Sequence, residues 1–240
     1  MTTLLRRDWN SAVVVWATLA LSGAAAPVRA DSLIVGATDA GIRTIDGTSP
    51  ATVAHGELSM LNVLVDGGDR RSVDSIVEFD IASIATIPHG ALVQSAMLFL
   101  DIAGAHTISG PADVSVHGYG DGDGLVGRGD FAKPTTFLGQ TGDLPDGAPG
   151  TQDTPFAFDV TDLIQSLANH GTRFVGFHLE GPAGNSQAWI WGNAAPSAAE
   201  RPRLDVAFSA VPEPPGLLLI GLGLAGLSIG SWWRGRWAAA

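Results

Sequence analysis

Between residues 31 and 210, apolar residues arrive in short runs separated by Gly, Pro, Asp and Ser. An amphipathic helix needs apolar positions recurring every three or four residues over ten or more, whereas a strand needs only a few, bounded by turn residues. The spacing therefore predicts a mostly β fold, a two-sheet antiparallel β-sandwich of jelly-roll type. The clearest runs are 58–65, 75–80, 93–102, 114–117, 156–160, 173–179, 188–191 and 203–208. Within 93–102, Ala96, Leu98, Leu100 and Ile102 fall on one face and Ser95, Met97, Phe99 and Asp101 on the other. Both faces carry apolar groups, as in a strand covered on both sides.

One segment departs from the pattern. Leu163, Ile164 and Leu167 lie at helical spacing, Thr161 or Asp159 can cap the start, and Gly171 can close the end in a left-handed conformation. This predicts a short helix packed across an end of the sandwich. Residues 139–155, rich in Gly, Pro, Asp and Thr, read as an exposed loop inside one domain. A body of about 180 residues is long enough for a single core.

Residues 31–210 hold 22 Asp+Glu against eight Lys+Arg, a formal charge of −14. Such a surface repels nucleic acid. The chain has no cysteine, so its stability comes from apolar burial, with bound cations as a second source.

An order of motifs points to a family. Arg70-Arg71-Ser72 is followed by Glu78-Phe79-Asp80-Ile81, then Ile87-Pro88-His89-Gly90-Ala91 and Val93-Gln94-Ser95-Ala96-Met97-Leu98. Asp159-Val160-Thr161 and Arg201-Pro202-Arg203-Leu204 come later. Over roughly 58–208 the chain resembles the DNRLRE β-sandwich domain, related to disaggregatase and to some carbohydrate-binding modules. The motifs are structural turns and a core strand, so what the resemblance implies is a fold.

The acidic loop Tyr119-Gly120-Asp121-Gly122-Asp123-Gly124-Leu125-Val126-Gly127-Arg128-Gly129-Asp130 is the strongest candidate for cation chemistry. Calcium takes several oxygens from alternate positions of a tight loop, with a carboxylate at the twelfth position. With Asp130 there, Asp121, Asp123 and the Leu125 carbonyl take positions three, five and seven, which resembles a dockerin-type calcium loop. Tyr119 stands where the first carboxylate belongs, so the expectation is weak calcium binding or a plain glycine turn. The six histidines, His55, His89, His106, His117, His170 and His178, show no pair three or four apart, which argues against zinc.

No Gly-x-Ser-x-Gly elbow is present, and Gly184-Asn185-Ser186-Gln187-Ala188 matches only in part. Glu78 with Asp80 or Glu180 could form a glycosidase pair, but Glu78 and Asp80 share a strand face and are more simply solvated. The expectation is a non-catalytic protein, with a secreted polysaccharide-acting hydrolase or a calcium-stiffened structural matrix protein as the alternatives. Trp189 and Trp191 are the only tryptophans of the body and lie on one strand face. Exposed, they would stack on sugar rings beside Asn185, Gln187 and Asn193; turned inward, they would fill the core.

The two ends read as addresses. Arg6 and Arg7, an apolar stretch 12–21 and Val28-Arg29-Ala30 make a secretory signal peptide over 1–30, with cleavage by signal peptidase after Ala30. An uncleaved anchor is the alternative, although the apolar centre is short of the roughly 20 residues that span a bilayer. Residues 211–240 carry Pro212-Glu213-Pro214-Pro215, an apolar run and Ser231-Trp232-Trp233-Arg234-Gly235-Arg236-Trp237. As a helix, 216–233 would span about 27 Å, a bilayer's apolar thickness, with the arginines on the cytoplasmic side. The segment closely resembles the PEP-CTERM sorting signal of Gram-negative bacteria. That resemblance implies Pro212, Glu213 and Pro214 as the sorting motif and an exosortase as processor. It also implies transient anchorage in the inner membrane and release to the cell surface or the extracellular polysaccharide matrix of a biofilm.

Overall fold

A computed structural model of the chain describes residues 30–46, 50–66, 71–85, 92–109, 112–181 and 185–209. The strands in order are β1 (Ala30–Gly36), β2 (Asp39–Asp46), β3 (Thr52–Gly56), β4 (Met60–Asp66), β5 (Arg71–Asp80), β6 (Val93–Ser109), β7 (Ser115–Tyr119), β8 (Thr136–Gln140), β9 (Thr154–Asp159), β10 (Phe174–Glu180), β11 (Asn185–Trp191) and β12 (Arg203–Ser209). Among the described residues two α-helical pieces interrupt them, the single turn α1 (Ala82–Ala85) and the nine-residue α2 (Thr161–Asn169), together with one 3-10 turn (Asp130–Ala132). All the strand pairs are antiparallel.

The strands form one hydrogen-bonded network in the order β1-β12-β6-β11-β4-β5-β10-β7-β8, with β2 and β3 added at β5 and β9 at β6. Two long strands make this sheet curl. Along one edge β6 pairs first with β12 (Val93 to Phe99) and then with β11 (Ile102 to Ser109), while β9 holds its other edge. Likewise β5 pairs with β4 through Arg71–Val73 and with β10 through Ser75–Asp80, opposite the continuous pairing to β2. A strand that changes partners along one edge must bend away from both, and the curl closes over the main core, while Ile76, Tyr119, Val126 and Phe131 form a second, smaller apolar cluster.

Inward residues fill that core at alternate positions: Leu61 and Val63, Val77 and Phe79, Ala96 to Ile102, Val175, Phe177 and Leu179, Ala188 and Ile190, Leu204 and Val206. Phe79 and Phe177 meet edge to face at its centre, 5.7 Å between centroids. The other face of β6 is only half covered, since Ser95 is exposed and Met97 and Phe99 are half-buried.

Helix α2 forms where it was expected. Asp159 accepts hydrogen bonds from the Thr161 N–H (3.0 Å) and hydroxyl (2.6 Å), and Gly171 closes the end at φ 68°. Ile164 is buried, and Leu163 and Leu167 rest against Gly118 and Gly120, where any side chain would collide with them.

The structure corrects two of these expectations and decides between the two placements of the tryptophans. Strands β1, β2, β3 and β8 are additional to the runs recognised; in β2, β3 and β8 the apolar residues are too sparse to mark a strand, whereas β1 carries Leu33-Ile34-Val35. The 139–155 stretch is more than an exposed loop: Leu144 is buried, and Gly147 and Gly150 hydrogen-bond Ala105 and Ala103 of β6. Trp189 and Trp191 do not fill the core, since both are half-buried on the opposite face of β11.

Residue Ala30 opens β1 opposite Ser209, so a cut after it leaves 31–36 paired with β12. Residues 1–29, the Pro212, Glu213 and Pro214 motif and the 216–233 span lie outside the described residues. Among the described residues no helix is long and apolar enough to cross a membrane.

Candidate functional site

Alternation along β11 sends Ser186, Ala188 and Ile190 inward and Gln187, Trp189 and Trp191 outward. The register sets neighbours beside the outward set. Asn62 of β4 lies opposite Trp189, Met60 opposite Trp191 and Leu64 opposite Gln187. On the β6 side Gly104 faces Trp189 and His106 faces Gln187.

A bulge makes that last row possible. Ile190 pairs with Ile102 but Trp189 pairs with Gly104, leaving Ala103 as an extra residue. One inserted residue reverses the alternation. His106, in phase with the core positions Leu98 to Ile102, is thereby turned outward and exposed.

The 145–152 segment builds a wall over this face. Its backbone bonds to Ala103 and Ala105 bring the Ala148 carbonyl close above Gly104, where an added Cβ would sit 2.6 Å from that oxygen. Between wall and sheet lies a recess of about 410 Å³ lined by Ala105, His106, Asp146, Gly147, Ala148 and Trp189. One Asp146 oxygen accepts the Thr107 N–H at 2.7 Å, which fixes the carboxylate at the rim. Next to it the Gln187 amide donates to Asn62 Oδ1 at 2.9 Å. An indole with a carboxylate, an imidazole and two amides around it is a surface suited to a polar ring with an apolar face, which is the chemistry of a sugar.

Of the other expected residues, the Asn185 side chain lies outside the description, and Asn193 and Trp191 go elsewhere. Asn193 accepts the Leu58 N–H and donates to the Gly56 carbonyl, a role in the turn. Trp191 packs near Gly150 and keeps its indole N–H buried without a partner.

The acidic loop is organised around protein carboxylates. Glu78, fully buried, accepts the Tyr119 hydroxyl at 2.7 Å and the Gly124 N–H at 2.9 Å. Asp39 accepts the Val126 N–H and Asp130 the Gly127 N–H, each at 2.7 Å. The loop thus turns N–H groups inward, whereas a calcium loop turns oxygens inward. A Cβ at Gly122 would stand 2.6 Å from Glu78 Oε1, which accounts for one of the glycines. Asp121, Asp123 and Leu125 are exposed, while Asp130 is buried and also held by Lys133 at 2.6 Å. Among the described residues no three metal-ligating side chains surround a common point as they stand.

The proposed glycosidase pair is also rearranged. Glu78 is not solvated beside Asp80. It lies under the loop, and Asp80 pairs with Arg173 at 2.9 Å. Burial pushes the Glu78 carboxyl above its ordinary range, more than Tyr119 and the Gly124 N–H pull it down. The Tyr119 hydroxyl is pushed far above its usual range by burial and by Glu78, so it stays a proton donor to that carboxylate.

Asn62, His106 and Asp146 are the members of the tryptophan site that sequence reasoning missed. They are joined to Trp189 by strand register, a bulge and a loop crossing, none of which leaves a local spacing signal. Compared with known proteins, the chain matches no family model and none of the curated proteins searched.

Proposed function

We propose that the chain is an exported protein of the cell surface or exopolysaccharide matrix whose β domain binds polysaccharide without cleaving it. The observation that carries this reading is the outward recess of Trp189 with His106 and Asp146. A core tryptophan would have no such polar rim. In this reading the curled sheet is a jelly-roll-like, DNRLRE-like sandwich offering one of its outer faces to a glycan. Signal peptidase and an exosortase are the processing partners, acting after Ala30 and near Pro212, Glu213 and Pro214. Glu78 is buried against Tyr119 and the Gly124 N–H, and half-buried Asp80 is held by Arg173; these structural pairings support the non-catalytic form over the hydrolase.

Affinity electrophoresis tests the binding. In a gel containing the producing cells' exopolysaccharide the wild type should be retarded. Trp189→Ala should lose about 2 kcal/mol of binding, roughly thirtyfold, and migrate as in a plain gel. Equal retardation of both would exclude Trp189 as the platform. The address is tested separately by the intact mass of the surface-located protein. It should start at Asp31 and lack the residues beyond the sorting motif; a full-length mass would exclude processing.

A further inference from the structure

Sequence spacing argues against zinc, yet the sheet brings two distant histidines face to face. His117 of β7 and His178 of β10 are directly opposed across the antiparallel pair. Opposed residues in such a pair carry their Cβ atoms about 5 Å apart on the same face. Glu180, two residues beyond His178, projects from that face as well.

The side chains are already arranged as neighbours. Glu180 Oε1 lies 3.3 Å from His178 Nδ1, and Oε2 lies 3.7 Å from His117 Nε2. Ligands about 2.0–2.1 Å from a tetrahedral zinc stand about 3.4 Å from one another, so both spacings are within reach of a first coordination shell. From this geometry we infer a transition-metal site of the zinc class, with His117 Nε2, His178 Nδ1 and Glu180 as its ligands. Two imidazoles and one carboxylate favour zinc over calcium or magnesium, which prefer all-oxygen sets.

A second observation points the same way. The His178 side chain is only 6% exposed, yet its Nε2 is buried with no hydrogen-bond partner. A buried ring nitrogen left unpaired is costly unless something organises the ring. Nε2 faces Asp74 Oδ2 at 3.9 Å, and Asp74 is fixed by Arg43 at 2.5 Å. With a metal on Nδ1, the Nε2–H turns toward that carboxylate, the outer-shell arrangement that orients metal-binding histidines. Phe131 and Phe137 flank the two rings edge-on at 5.6 and 5.3 Å and restrict their rotation. What remains is for the three ligands to close on one point. Glu180, 43% exposed, supplies that movement by rotating its side chain.

Zinc chloride titrated into the purified full chain should bind at one equivalent and raise the melting temperature. Cobalt(II) in its place should give the visible bands of a four-coordinate nitrogen and oxygen site. His117→Gln and Glu180→Gln, both at partly exposed side chains, should each weaken zinc binding at least tenfold, and Asp74→Asn by roughly 10- to 100-fold. His170→Gln, on an exposed helix end, should leave it unchanged. Should His178→Gln fail to fold, His117→Gln and Glu180→Gln still decide. Absence of one-equivalent binding, or binding undiminished in both of those variants, overturns the assignment.

Discussion

Gly176→Ala is expected to cost about 4 kcal/mol of stability and to lower the melting temperature by about 10 °C. Gly176 of β10 separates Glu78 of β5 from Tyr119 of β7 in one cross-strand row. The tyrosine ring reaches over the glycine to the carboxylate, and an added Cβ would sit 2.0 Å from Tyr119 Cζ. That atom cannot be accommodated by a small shift. The ring must leave, which overpacks the site and breaks the 2.7 Å bond to Glu78. Thermal unfolding followed by circular dichroism checks this, and a loss below about 1 kcal/mol would mean that the ring has another place to go.

Glu78→Ala should be about as damaging. It leaves the Tyr119 hydroxyl and Gly124 N–H without an acceptor under the loop and opens a cavity, for a total of about 4 kcal/mol. Glu78→Gln keeps the volume but presents an amide donor to one of those donors, and should cost about 2 kcal/mol. The pH dependence separates charge from shape. Because the folded state raises the Glu78 pKa above 4.5, it holds that proton more tightly than the unfolded chain. Stability therefore rises as pH falls from neutral through the folded value, and this increment levels off below 4.5.

Asp101 adds to the same trend, since burial and then Asp153 nearby push its carboxyl up. Asp74 works in the other direction. Burial pushes its carboxyl up, but His178 and the Arg43 guanidinium together outweigh that and hold it below 3.8. Its contribution is present above 3.8 and lost as pH falls through the lower folded value. The wild type should thus be most stable in mild acid. Glu78→Gln should show a smaller rise between neutrality and that maximum; an undiminished rise would mean that Glu78 does not carry it.

The parts of the fold legible in the sequence are those where burial alone sets the pattern. Val175, Phe177 and Leu179 of β10 alternate into the core, and Leu163, Ile164 and Leu167 give α2 its period. Strand β2 was not legible because Ala40 and Gly41 are small for reasons of contact: a Cβ at Gly41 would sit 2.4 Å from Val126. Nor was the continuation of β6 beyond Ile102, since the bulge at Ala103 reverses the alternation that identifies a strand. The acidic loop shows the same limit in the candidate sites. Its glycines and aspartates look like cation ligands in order, but their arrangement answers to Glu78 and Asp39, more than 40 residues earlier. Trp189 was legible as a candidate because it stands two residues from Trp191. The rim that makes it a site comes from β4, β6 and the 145–152 crossing.

The most direct test of the central claim combines binding and turnover in one measurement. The full chain is incubated with exopolysaccharide from the producing cells, and the mixture is followed by size-exclusion chromatography with light scattering. The protein should co-elute with the polymer, Trp189→Ala should not, and the polymer's mass should be unchanged after prolonged incubation. A falling polymer mass, or wild-type protein eluting apart from the polymer, would contradict the claim.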